Sequence, residues 1–259
     1  MSNLSDIGFP VKTDEDVNVL ITETINRVEA IKCPQGFYLR FSDDSGAEIF
    51  LQGNEKQELI GFNPHFDGKS RRNVRLIKAI ERDSSELDGG FYAVANPGED
   101  DYSGDYTFVF DVPDFRMTSE IELPANHAIQ LTAFASNDFK IYESERNFLD
   151  AQTDEPKPAV KSFTASGLFA ANENDDAPPR PIGIFSGEIK EFELKTNELS
   201  KENFYSFLVE TSGGQIDVVA DVKLVASEPQ TGNIVSGQFW LSGRIVDLPE
   251  FVQITSGVN

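Results

Sequence analysis

The stretch Asn63-Pro64-His65-Phe66-Asp67-Gly68-Lys69-Ser70 ends in Gly-Lys-Ser, the triplet that closes a phosphate-cradling loop of the form G-x-x-x-x-G-K-[ST]. Further on, Val109-Phe110-Asp111 has the form of an apolar strand ending in a metal-holding aspartate. Together the two would bind a nucleotide and its cation. The match fails at the atoms that matter. Asn63 stands in place of the first glycine, Pro64 lacks an amide that would face phosphate, and Phe66 and Asp67 add bulk and negative charge.

The bases around this stretch are unusual in their density. Lys69, Arg71, Arg72, Arg75, Lys78 and Arg82 are six of the 22 basic residues, all within residues 69–82. They could face an anion or an acidic partner, but charge balance with neighbouring carboxylates is the stronger reading. On a helix, positions 71, 75, 78 and 82 would share one basic face. On a strand, Val74, Leu76, Lys78 and Ile80 would share a side and Arg75 would lie opposite. Val74, Ile77 and Ile80, with a turn over Leu87-Asp88-Gly89-Gly90, favour the strand. His65 and His127 are the only histidines, and neither has a second ligand or a nucleophile at a recognisable spacing, so both read as structural. His65 with Asp67 and with Arg71 or Arg72 is nonetheless the grouping that a carboxylate-dependent enzyme would use. Glu99, Asp100, Asp101 and Asp105 crowd one loop without the spacing of a calcium loop. No catalytic residue is assigned, and no metal or cofactor is implied. The candidate binding residues of this half are Asn63, His65, Lys69, Arg71, Arg72 and Arg75.

Composition sets wider bounds. The 259 residues are 39% hydrophobic, enough for a core without disulfide or metal staples. Phe dominates at 21, against two Met and one Trp, which suits a rigid β interior. A formal charge of −22 repels nucleic-acid backbones and anionic membranes and steers towards cationic partners; its plainer use is solubility. Cys33 is alone, so no internal disulfide forms. The N-terminus lacks the charge and apolar run of a secretory signal, and no stretch approaches the roughly 18 apolar residues needed to span a bilayer. These features predict a cytoplasmic protein.

The elements follow from local pattern. Thr13-Asp14-Glu15-Asp16 is a capping box, and Val17, Leu20, Ile21, Ile25, Val28 and Ile31 form one apolar stripe, predicting a helix over 14–31. Strands are predicted at 37–41, 47–52, 58–62, 91–95, 106–112 and 128–135, with a short helix at 142–149. Residues 150–181 are rich in Pro, Asp and Ala and read as a linker between an N-terminal domain (1–149) and a C-terminal module (182–259). No internal repeat is evident between the halves.

The C-terminal module starts with a long strand over Gly183–Leu194. A hairpin of 204–211 and 215–221 follows, turning at Ser212-Gly213-Gly214, and a glycine-bent strand over 234–246 ends it. In order and spacing this resembles an OB-fold lacking its fifth strand, unless residues 251–255 or the N-terminal half supply it. The resemblance implies a binding surface over the second and third strands and the loops after Thr196 and Asp221. Phe204, Tyr205 and Trp240 would be its stacking aromatics. The module's 5 basic against 11 acidic residues argue against single-stranded nucleic acid as the ligand. The sequence therefore predicts a mainly β protein: an N-terminal β-rich domain with an amphipathic helix, and a small OB-like barrel at the C-terminus. It predicts binding rather than catalysis. The partner is a basic protein, engaged as an inhibitor, immunity-type or assembly factor would engage it.

Overall fold

The computed structural model describes residues 4–83, 85–153, 156–168 and 178–247. It is mainly β, with a short N-terminal helix. Thr13 caps helix α1 (Asp14–Thr24): its hydroxyl accepts the Asp16 amide at 3.2 Å, and the Asp16 carboxylate accepts the amides of Lys12 and Thr13. Those amides hold the Asp16 carboxyl below its usual range. The helix stops well short of residue 31. Thr22 and Thr24 turn their hydroxyls back onto the carbonyls of Asn18 and Leu20, a competition that weakens a helix end. After one 3-10 turn, Val28 leads into strand β1 (Glu29–Cys33), where Ile31 pairs with Tyr38.

Strands β1, β2 (Gly36–Ser42), β3 (Ala47–Asn54) and β4 (Leu59–Phe66) form an antiparallel four-stranded sheet. The remaining strands are β5 (Arg72–Arg82), β6 (Ser85–Ala95), β7 (Tyr106–Asp111), β8 (Ala125–Ala135), β9 (Lys140–Tyr142), β10 (Ser162–Thr164), β11 (Ile182–Thr196), β12 (Asn203–Thr211), β13 (Gly214–Asp221) and β14 (Ile234–Ile245). All ten join in one sheet. Strands from both sides of residues 150–181 thus hydrogen-bond together, and that stretch itself contributes β10. Helix α2 (Glu145–Asp150) follows Ser144 as its cap.

The ten-stranded sheet closes on itself twice. One cycle of pairings runs β11, β12, β13, β8, β14 and back to β11; the other runs β5, β6, β7, β14, β8 and back to β5. In each cycle the third strand meets a shared strand in parallel: Asp217 sits beside Thr132, and Asp111 beside Ser242. Thr132 and Ser242 also face each other where β8 and β14 pair. The first strand of each cycle carries a bulge, at Leu76/Lys78 in β5 and Ile189/Glu191 in β11. The runs begin at 72 and 182 and end at 135 and 245, the same offset at both ends. The halves therefore repeat in topology, a repeat that their residues do not show.

Two local expectations change. The bulge in β5 reverses the alternation, so Lys78 is exposed while Val74 and Leu76 stay buried. Leu87-Asp88-Gly89-Gly90 is not a turn but part of β6. A Cβ on Gly90 would fall 2.1 Å from the Phe110 carbonyl, and one on Gly89 2.2 Å from the Phe115 ring. These glycines serve close approach. The strand expected at 251–255 lies outside the described residues.

The main core fills both cycles, with Phe91, Phe108, Phe110, Phe185, Phe207 and Phe239 at its centre. A second core joins the four-stranded sheet, α1 and the N-terminal segment to the outside of β8, β12 and β13. Strand β4 lies across the seam: His65 Nδ1 is 2.9 Å from the Ser242 hydroxyl, and the Phe66 carbonyl accepts the Thr132 hydroxyl at 2.8 Å. Among the described residues, no helix is long and apolar enough to cross a membrane.

Candidate binding surface

Two overhangs break the closed pairing: the shorter is the end of β5 beyond Leu76, and the longer is the far end of β11. Its first part lies between β10 and β14; its last part pairs only with β12. The bonds from the Ile189 amide to the Asn233 carbonyl and from the Gly232 amide to the Ile189 carbonyl are the last on the β14 side. From Lys190 to Thr196 that edge has no strand partner among the described residues. Such an edge offers unpaired amides and carbonyls to another chain.

Alternation along this arm places Phe192 opposite Phe207 and Leu194 opposite Tyr205. Phe207 is buried and Tyr205 stacks on it at 5.7 Å, but Phe192 is 39% and Leu194 51% exposed. Leu224 and Val225 pack on the same apolar cluster as Tyr205. The arm thus presents an apolar shelf beside an open edge, with Glu191 and Glu193 alternating on the other side.

Its charges are paired lightly. Glu191 meets Lys69 at 2.5 Å, Glu193 meets Lys195 at 3.2 Å, and Glu188 meets Lys190 at 2.8 Å. The Glu191 carboxylate raises the Lys69 ammonium above its usual range, and the Lys190 hydrogen bond lowers Glu188. All three pairs are at the surface, where such contacts contribute little and exchange readily.

The Gly-Lys-Ser stretch is what holds Lys69 there. The buried Asp217 carboxylate accepts the Lys69 amide at 3.0 Å, the Ser70 amide at 2.8 Å and the Gln130 side-chain amide at 2.8 Å. A Cβ on Gly68 would lie 2.2 Å from that carboxylate. The amides that resembled a phosphate cradle therefore hold an internal anion. Asp111 has the corresponding place in the other half, where Arg82 at 2.7 Å and the Trp240 side chain donate to it.

The other predicted residues disperse. Asn63 donates to Asp88 at 2.8 Å. His65 is enclosed, and burial, then the nearby Arg244 charge, depress its basicity well below normal. Arg71 is exposed and folds onto the carbonyls of Gly68 and Ser70. Asp67 is exposed too, so His65, Asp67 and Arg71 do not share one cleft. Arg72 is buried against Tyr106 and Phe108 and donates to Tyr106 and to the Ser212 and Gly213 carbonyls. Arg75 holds Asn126 and the Gly98 and Asp100 carbonyls. Phe204 is fully buried against Phe66, and Trp240 leans on Phe134 at 5.1 Å, so only Tyr205 lies at the arm. Among the described residues no group of His, Cys, Asp and Glu could hold a metal ion.

Sequence reading missed Phe192, Leu194 and the edge itself. The alternation Glu191-Phe192-Glu193-Leu194-Lys195 was visible, but not that its apolar side would lie uncovered. Neither family models, nor curated proteins, nor solved structures give a match to this chain.

Proposed function

We propose that this chain is a non-enzymatic binding protein that takes up a basic, extended segment of a protein partner along the open edge of β11. The carrying observation is the unpartnered edge at 190–196 beside exposed Phe192 and Leu194, in a chain of net charge −22. Main-chain bonds to the edge supply affinity, the shelf takes alternate apolar side chains, and cations meet Glu191 and Glu193. The order of the cycle β11, β12, β13, β8, β14, with β13 and β8 parallel, supports an OB-like reading in which β8 is the fifth strand. On that reading the arm extends strands one and two, beside the loops where such modules bind. Nucleic acid is the poorer tenant, because Arg72, Arg75 and Arg82 are engaged internally. The lone cysteine suits a reducing cytoplasm.

The test uses a labelled heptapeptide of alternating Lys and Val and follows fluorescence anisotropy at low and at high salt. Binding at 20 mM salt should weaken at least tenfold at 300 mM. The double variant Phe192→Lys, Leu194→Lys should abolish it while keeping the native circular dichroism. Equal binding by the variant, or no saturable binding by the native chain, refutes the assignment of the edge.

A further inference from the structure

At one end of the cycle formed by β5, β6, β7, β14 and β8 lies an open concavity of about 520 Å³. It falls within the roughly 300–1,000 Å³ typical of small-molecule sites. Asn73, Asn96, Asn126 and His127 supply its polar lining, and Pro97 and Ala128 its apolar part.

The charged groups beside it are already engaged. Asp247 accepts the Ala128 amide through one oxygen and faces His127 Nδ1 through the other, both at 2.9 Å. Arg75 donates to Asn126 Oδ1 and to the carbonyls of Gly98 and Asp100. What is left alternates in sense. Asn126 has its Nδ2 donors free because its oxygen receives Arg75, whereas Asn96 keeps its oxygen because its Nδ2 donates to Asp105 at 2.7 Å. Asp247 fixes a proton on His127 Nδ1 and leaves Nε2 for a ligand hydroxyl. The Asn73 amide offers both.

An anion finds no free cation in this lining, and a cation finds no free carboxylate. A hydroxyl both donates and accepts, and a run of hydroxyls on a carbon ring matches alternating amides and imidazole while its C–H surface covers Pro97 and Ala128. We propose that this concavity is a binding site for a neutral polyhydroxyl ligand of mono- or disaccharide size. Its groups come from three strand ends and a loop, and Asn96, Asn126 and His127 are each held by a hydrogen bond to a neighbour, so most of the site exists before the ligand arrives.

Imidazole ¹⁵N–¹H correlation spectra provide the readout, because the chain has only two histidines and enclosed His65 is the internal control. Glucose, N-acetylglucosamine, xylose and maltose are each titrated to 50 mM. At least one should shift the His127 Nε2 resonance saturably and leave His65 unmoved. Asn126→Ala should weaken that binding about tenfold, and Asp247→Asn, which frees the tautomer, several-fold. Stationary His127 signals with all four sugars would overturn the proposal, as would a response confined to inorganic phosphate or to uridine through its base. Unchanged affinity in Asn126→Ala would overturn the placement.

Discussion

The two halves that share β8 and β14 use the same pairing scheme for opposite ends. In the first, β5 stops at Arg82, whose guanidinium closes onto Asp111, and the outer side of β6 meets the four-stranded sheet through Tyr38, Phe50 and Leu87. In the second, β11 runs on to Thr196, beyond the reach of β14, and leaves its edge open. The symmetric parts, Asp111 with Asp217 and Thr132 with Ser242, build the frame. Both first strands outrun their second partner, since β5 pairs only with β6 from Lys78 to Arg82; the longer overhang, on β11, is the edge proposed above as the binding site.

The comparison can be broken most severely at the anchoring carboxylates. Asp217→Ala strands two backbone amides and the Gln130 amide inside the protein, and should cost about 4 kcal/mol in denaturant unfolding. Asp111→Ala should cost about 2 kcal/mol, since the Arg82 it abandons can still reach water. Because β8 and β14 belong to both cycles, each variant should unfold in one transition followed equally by Trp240 fluorescence and far-UV dichroism. Two separated transitions would show that the halves are independent.

Asp6 gives a pH test confined to the cap over the second half. Burial is the main cause that raises its carboxyl to about 8, against a hydrogen bond from the Asp221 amide that lowers it. A folded-state value above the unfolded one means stability that is complete below about pH 4 and is lost as pH rises through about 8. Asp6→Asn should therefore gain on the native chain between pH 5 and pH 8, by roughly 4 kcal/mol. A pH-independent difference would exclude a buried, neutral Asp6. The smallest effect on the fold is expected at the arm. Phe192→Lys with Leu194→Lys should change stability by no more than about 0.5 kcal/mol, because both side chains already meet water. A larger loss would mean that the shelf is part of the core.

Much of the frame was legible in sequence because it rests on local chemistry. Thr13 with Asp16, Gly213-Gly214 at φ +78° and +113°, and the strand alternation of Phe204–Thr211 each name their own structure. The misreadings arose where a distant partner decided. Ile31 continues a helical stripe but pairs with Tyr38 of β2, and Gly89-Gly90 imitates a turn because Phe110 and Phe115 need the space. Asp217 and Gly68 are 149 positions apart in numbering, so the filled anion cradle could not be foreseen. The arm was hidden for a related reason: an edge is defined by the absence of a neighbour, which no local pattern records.

The exchange of strands across the seam has a practical side. Cutting the chain between residues 150 and 160 gives two pieces, neither of which holds a complete cycle, since each keeps one member of the β8/β14 pair and needs the other's. Each piece would stay unfinished until it met its complement, and the meeting would complete both cycles at once. Co-expressed as separate polypeptides, the two should behave as a split protein: silent apart, folded together, and able to report the proximity of whatever they are fused to.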